Sequence, residues 1–342
     1  MVRFDLLKAD ARRSLADVPV SRLSNRTVMI AGASGIIGTH LLYGLTHCQA
    51  DLGIAIKVYA LVRQGVPEHL KPLARSDQVH FLEGDLTEHA YLSSLPSADI
   101  IIHAATYGQP GRFLAEPLST IKLNTTGTMG LLEKLHPGGH FLFISTSELY
   151  SGLNSSPFNE DQIGCSNTNH PRSCYIEAKR CGEAICHAAR QAGVDAKSAR
   201  LCLAYGPGTL VGDKRVIYSF IERGLREKKI QLLDQGNARR TYCYISDAAY
   251  MLWRILLEGT EAIYNVGGVS TTTVADLARL IGRSLDVPVI IPDQTQTGLA
   301  GAPFDTELDL TRVQKQFGPI RFIDLPTGLA TTVDWQRSLY AD

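Results

Sequence analysis

The amino-acid sequence predicts an α/β fold, a doubly wound parallel sheet with a smaller C-terminal lobe. Three observations carry that expectation. Short apolar runs alternate with helical stretches over residues 25–205. A glycine-rich turn joins the first apolar run to the first helix. After Gly206 the alternation loosens. Apolar strands separated by helices are the pattern of a parallel sheet buried on both faces.

The elements follow in order. Residues 1–24 read as an added segment in which Phe4, Leu6, Leu7, Ala11 and Leu15 line one helix face. Packing on the body or on a neighbouring subunit is its expected role. Strands are expected at residues 27–31, 56–62, 79–82, 99–103, 140–145 and 196–203. A long helix is expected from Phe113 to Leu135, with Pro117 early in it, and another over residues 171–191. Residues 25–205 thus form the main nucleotide-binding unit, and residues 206–342 a lobe interleaved with it. In that lobe, short strands at 241–246 and 264–266 are expected beside helices ending at Glu258 and running over 273–285. The Pro-, Gly- and Thr-rich stretch 286–308 reads as loop.

Composition narrows the partners. The chain has 342 residues and 34 basic against 34 acidic side chains, so no basic field points to nucleic acid or an anionic membrane. No apolar run approaches the ~18 residues of a membrane span. The charged N-terminus lacks the apolar core of a signal peptide, and a cytoplasmic address follows by elimination. The seven cysteines include no pair at CxxC spacing, which argues for free thiols and against a metal site.

The turn Gly32-Ala33-Ser34-Gly35-Ile36-Ile37-Gly38 follows a strand and opens a helix. Its first glycine makes the tight turn. The second lets the backbone approach a pyrophosphate, and the third allows close helix packing. The helix N-terminus offers free N–H groups to phosphate. This is a Rossmann-type dinucleotide signature. At the end of the second strand a carboxylate would bind the ribose hydroxyls of NAD. Here Arg63 stands instead, and it could pair with the 2′-phosphate of NADP or stack on adenine. Asp85 and Leu86 follow the third strand, where Asp85 could accept from an adenine amine. Ala104, Ala105 and Thr106 end the fourth strand and leave room for the dinucleotide. His103 beside them reads as a packed residue.

Tyr175 and Lys179 lie four residues apart on a helix and so share a face. An ammonium one turn away favours the ionised phenol. Ser145-Thr146-Ser147-Glu148 closes the fifth strand, at the end where ligands of open α/β sheets bind. Thr146 could hold a substrate oxygen while Tyr175 takes its proton and hydride passes to the nicotinamide.

With these residues the chain resembles the extended short-chain dehydrogenases/reductases of the NAD-dependent epimerase/dehydratase family. Among them it is similar to UDP-glucuronate decarboxylases. The likeness runs over about residues 25–335. It is carried by Pro171-Arg172-Ser173-Cys174-Tyr175 with Lys179-Arg180, by the stretch from Glu116 to Asn124 with Gly127-Thr128, by Tyr205-Gly206-Pro207, and by the stretch from Arg240 to Asp247.

The resemblance implies a nucleotide-sugar substrate, a transient 4-keto intermediate and return of the hydride. It gives Thr146, Tyr175 and Lys179 the oxidation and has Asn124 order the lysine. Arg172, Arg215 and Arg240 would meet the substrate. In sugar 4,6-dehydratases an Asp-Glu pair follows the threonine; here Ser147-Glu148 stands, as in the decarboxylases, and a serine is a poor acid for dehydration. Decarboxylation, 4-epimerisation and keto-sugar reduction remain open, as does a module that only senses NAD(P). Decarboxylases of this group use NAD, whereas Arg63 favours NADP. The resemblance also implies a homodimer through the Tyr-Lys helix. Leu203 and Ser219 stand where the family usually has Asn, and Thr306 where it has Arg, so sugar or diphosphate contacts are altered.

Overall fold

The computed structural model describes residues 2–154, 156–293 and 307–340. In chain order the strands are β1 (Arg26–Ala31), β2 (Ile56–Val62), β3 (Val79–Glu83), β4 (Ala98–His103), β5 (Leu135–Thr146), β6 (Asp195–Leu201), β7 (Leu203–Tyr205), β8 (Ile230–Gln231), β9 (Arg239–Tyr244), β10 (Ile263–Val266), β11 (Ser270–Thr273) and β12 (Val289–Ile290). The helices are α1 (Phe4–Ser14), α2 (Ile36–Ala50), α3 (His89–Ser94), α4 (Pro110–Ala115), α5 (Pro117–Asn124), α6 (Thr126–Leu132), α7 (Ser173–Gln191), α8 (Val216–Glu227), α9 (Ile245–Glu258), α10 (Val274–Leu285), α11 (Thr311–Phe317) and α12 (Leu325–Tyr340).

The central sheet has seven parallel strands in the order β10-β6-β5-β4-β1-β2-β3. Its order reverses between β1 and β4, and such a switch point opens a crevice at the carboxyl ends of the strands. The two faces alternate along β1, as the strand period requires. Val28 and Ile30 join one core with Ile100, Ile102, Leu142 and Ile144. Met29 and Ala31 join the other with Ile101, Phe141, Phe143 and Tyr175. α2 and α9 cover the first face, and α1 lies against both of them. Leu7, Ala11 and Leu15 are buried there, so the N-terminal segment packs on the body.

β10 returns from the C-terminal part of the chain to pair with β6. The rest of that part makes a three-stranded sheet, β11-β9-β7, and the pair β12-β8. α12 packs against α8 and α10, with the Trp335 indole donating to the Thr209 carbonyl at 3.0 Å.

Two expectations are corrected. The single helix expected from Phe113 to Leu135 is three helices. Pro117 forces Glu116 out of helical geometry, at φ −125° and ψ 59°, and starts α5 afresh. A second break falls at Thr125, where Thr125 and Thr126 donate their hydroxyls to the Ile121 and Lys122 carbonyls at 2.8 and 3.1 Å. The stretch read as loop contains β12. Two helices, α11 and α12, lie beyond the expected elements.

Candidate active site

The glycine turn is built as a tight cradle. Gly32 has φ +84°, and a Cβ there would lie 2.7 Å from the Ala105 nitrogen. A Cβ on Gly38 would lie 2.2 Å from the Gly32 carbonyl oxygen. Both positions therefore demand glycine. Gly35 has only one such neighbour, the Gly32 oxygen at 3.4 Å, so its exposed backbone is open to a ligand. Ser34 and Ile36 flank it, half-buried, while Ile37 turns into the core. No side chain caps α2, which leaves its first N–H groups for an anion. Ala104, Ala105 and Thr106 run past the turn, half-buried. The residues present fit a dinucleotide.

Asp85 follows β3 and accepts from the Thr87 amide at 2.8 Å, with Leu86 buried beside it. Arg63 follows β2 directly. Its guanidinium lies 5.1 Å from the Tyr107 ring centre, hydrogen-bonds to the Tyr107 hydroxyl and sits 3.5 Å from Glu116. His103 is fully buried, with Nε2 3.0 Å from the Leu123 carbonyl; burial pushes its pKa down to about 3. It is a neutral packed residue.

The candidate reaction centre lies where β5 ends. Thr146 caps the following turn and accepts from the Glu148 amide at 3.2 Å. Ser147 is half-buried in that turn. Tyr175 is 7% exposed, and Phe113 stacks on it at 4.7 Å and 8°. Burial holds its hydroxyl well above the ordinary range, and the Glu148 charge adds to that; a Thr146 hydrogen bond and Arg172 act the other way. Arg172 grips Glu148 with two nitrogens, Nε to Oε2 at 2.8 Å and Nη2 to Oε1. Thr146, Glu148, Arg172 and Tyr175 thus form one cluster.

Lys179 departs from the simple picture of an ammonium acting on the phenol. Its Nζ donates to the Ile144 carbonyl at 2.5 Å and lies 4.5 Å from the Phe143 ring centre. Burial lowers its pKa to about 7, partly offset by the Glu183 charge. Asn124 is fully buried. Its amide nitrogen donates to Thr106 Oγ1 at 3.1 Å and the Thr120 carbonyl at 2.8 Å, while its side-chain oxygen has no partner. It ties α5 to the end of β4, with an acceptor left over for a water or ligand.

A buried network holds this frame. Ser145 donates to Glu183 at 2.5 Å, and Glu183 takes Arg200 at 2.9 and 3.0 Å. Arg200 reaches the Tyr150 hydroxyl at 3.0 Å, which donates to Asn265 at 2.7 Å. Four elements, β5, α7, β6 and β10, are joined through side chains. Sequence reasoning missed Glu183, Arg200, Phe113, Tyr107 and Glu116. Of these only Glu183 carried a signal, one helical turn beyond Lys179 on the same face.

The remaining arginines lie on the C-terminal lobe. Arg215 pairs with Asp213 at 2.6 Å and stacks on Tyr218. Arg240 is half-buried on β9 and donates to the Arg239 carbonyl at 2.6 Å. Leu203 is exposed on β7, and Ser219 is half-buried on α8. Thr306 lies outside the described residues.

The fold and this cluster define a short-chain dehydrogenase/reductase of the extended kind. The model of the NAD dependent epimerase/dehydratase family matches residues 28–267, and the chain belongs to that family of enzymes. It is 27% identical over 264 residues to UDP-glucuronic acid decarboxylase 1 of Danio rerio, covering 77% of this chain and 61% of that protein's length. It is 29% identical over 316 residues to UDP-glucuronic acid decarboxylase 5 of Arabidopsis thaliana, covering 90% and 88%. A dTDP-glucose 4,6-dehydratase from Streptomyces venezuelae, determined with NAD, superposes with a TM-score of 0.79 at 23% identity, covering 91% of this chain and 97% of that one. Among the described residues no helix is long and apolar enough to cross a membrane.

Proposed function

We propose that the chain converts a nucleotide-activated uronic acid to the pentose by decarboxylation, with NAD held at the Gly32–Gly38 turn. The observation that carries this reading is the Thr146, Glu148, Arg172 and Tyr175 cluster at the end of β5, with Ser147 where dehydration would need an acid. The decarboxylase relatives support the same reaction.

Bound dinucleotide would supply the hydride acceptor, and later the donor, for the sugar C4 carbon. Thr146 and Tyr175 hold the C4 hydroxyl; Tyr175, as the phenolate that the positive ring of a bound oxidised dinucleotide would favour against burial, takes its proton as the C–H bond breaks. The C6 carboxylate is then β to a ketone and leaves as CO2, its bond electrons passing into an enolate. Glu148 delivers a proton to C5. Tyr175 would give back its proton as a bound reduced dinucleotide returned hydride to C4. The net change is uptake of one proton and release of one CO2.

Arg172 grips Glu148 side-on with two nitrogens. A substrate carboxylate drawn to Arg172 would compete for that partner and free Glu148 to face C5. Burial lowers the Lys179 pKa to about 7, and the Asn124 side-chain oxygen is left as an acceptor for a water or ligand.

A homodimer is part of the reading. Leu114, Leu118, Ile121 and Met129 are exposed along α4 to α6, and Leu118 is 74% exposed. Such a stripe on the helices packed beside α7 suits burial against a second copy.

Running the reaction in D2O tests the chemistry. The product should carry one deuteron at C5 and protium at C4, with no net reduced dinucleotide. Deuterium at C4, or stoichiometric reduced cofactor, would contradict internal hydride return.

A further inference from the structure

The end of β2 in this fold faces the ribose that distinguishes NAD from NADP. Arg63 occupies that place, and by itself it invites a 2′-phosphate. The structure surrounds it in a way that the sequence does not announce. Tyr107, 6% exposed, lies under the guanidinium at 5.1 Å and receives a second one, Arg112, at 5.0 Å. The Tyr107 hydroxyl donates to Glu116 Oε2 at 2.9 Å and accepts from Arg63. The same Glu116 oxygen lies 3.5 Å from Arg63 Nη1. A single carboxylate therefore stands against Arg63, on a ring whose face also carries the Arg112 guanidinium.

The carboxylate comes from an unexpected place. Glu116 is the residue before Pro117, and that proline fixes it in the non-helical joint between α4 and α5. The joint brings an acid to the ribose end that β2 itself does not provide.

We propose that Glu116 is a cofactor-specificity residue. Held between Arg63 and Tyr107, it occupies Arg63 and places negative charge where a 2′-phosphate would have to enter. A ribose hydroxyl can donate to it; a phosphate dianion is repelled. The site then selects NAD despite its arginine. Without the carboxylate, Arg63 and Arg112 would form a cationic clamp on the Tyr107 ring suited to a 2′-phosphate. The inference rests on the reading that the Gly32–Gly38 turn holds the dinucleotide.

Calorimetric titration of the full chain with NAD+ and NADP+ tests it, using wild type, Glu116→Gln, and Glu116→Gln combined with Arg63→Ala. Wild type should prefer NAD+. Glu116→Gln should bind NADP+ roughly tenfold more tightly, the size of one charged contact to phosphate. The double variant should lose that gain. A ratio of the two dissociation constants that Glu116→Gln leaves within twofold of wild type would overturn the proposal. So would a wild type that prefers NADP+, or a gain that survives loss of Arg63. If neither dinucleotide binds any variant, the reading of the glycine turn falls with it. Binding with an unchanged ratio sinks the role of Glu116 alone.

Discussion

The reaction centre and the C-terminal lobe are held by different kinds of contact. At the end of β5 the frame is a buried, mutually satisfied ion-pair network: Ser145, Glu183, Arg200, Tyr150 and Asn265. Arg200 is 3% exposed, and Glu183 7%. The lobe instead presents its arginines on short strands and helix ends. Besides the β10–β6 pairing, it is tied to the body through α1, where the Tyr244 hydroxyl donates to Asp10 at 3.0 Å and Arg13 pairs with Asp247 at 2.7 Å. The chemistry sits on elements that cannot shift without breaking buried charge. The proposed substrate contacts sit on the lobe, where Leu203 is exposed on β7 and Ser219 half-buried on α8.

The largest expected effect is at the centre. Tyr175→Phe should lower kcat by ~10²–10⁴, the usual contribution of a positioned acid/base. NAD+ affinity measured by calorimetry should stay near wild type. Retained turnover would remove Tyr175 from the reaction.

Glu183→Leu should cost ~3–5 kcal/mol in urea unfolding, because Arg200 would be left buried and unpaired. A change below ~1 kcal/mol would mean that the frame is no more rigid than the lobe, and the comparison would fail.

On the lobe, Arg240→Ala should raise KM for the nucleotide sugar ~10-fold and leave kcat within a few-fold, the signature of lost uniform binding. A fall in kcat equal to that in kcat/KM would place Arg240 with the chemistry instead.

The smallest effect concerns the α1 tie. Burial raises Asp10 from its ordinary value to about 7, and Asp247 to about 6. The folded state therefore binds these protons more tightly than the unfolded chain does. Stability should fall as pH rises from ~4 to ~7 and change little from these groups above that. Lys179 acts in the next window: its lowered value favours the folded state as pH rises from about 7 toward its ordinary value of 10.5. Asp10→Asn should remove the Asp10 share of the first window, leaving the smaller Asp247 share, and leave the second unchanged. Thermal melts at pH 5, 7 and 9 would check both, and an unaltered slope below pH 7 would dismiss the Asp10 account.

Much of the frame was legible in the residues, and the reasons are local. The central strands announce themselves because both faces are buried and their middles are apolar runs, Val28–Ala31, Ile100–Ile102 and Phe141–Ile144. Gly32 and Gly38 are legible because no other residue fits their backbone contacts. Thr146, Tyr175 and Lys179 are legible through spacing. Their hydrogen bonds are not, because Lys179 turns to the Ile144 carbonyl and Glu148 to Arg172 only once β5 and α7 are packed. Arg63 could be placed by position, but its partner lies 53 residues away across a helix break. Pro117 was visible within the helical pattern; that it would carry Glu116 to Arg63 is a fact of tertiary structure. α11 and α12 escaped notice because their apolar faces are defined by the lobe they cover.

The proposed reaction is decarboxylation by a closed redox cycle. A proton NMR time course of the purified protein with UDP-glucuronate and NAD+ tests it. The uronate signals should be lost and a UDP-pentose should grow in, with no lasting reduced dinucleotide. A UDP-galacturonate product would show that the centre stops at 4-epimerisation, and unchanged UDP-glucuronate would contradict this substrate assignment.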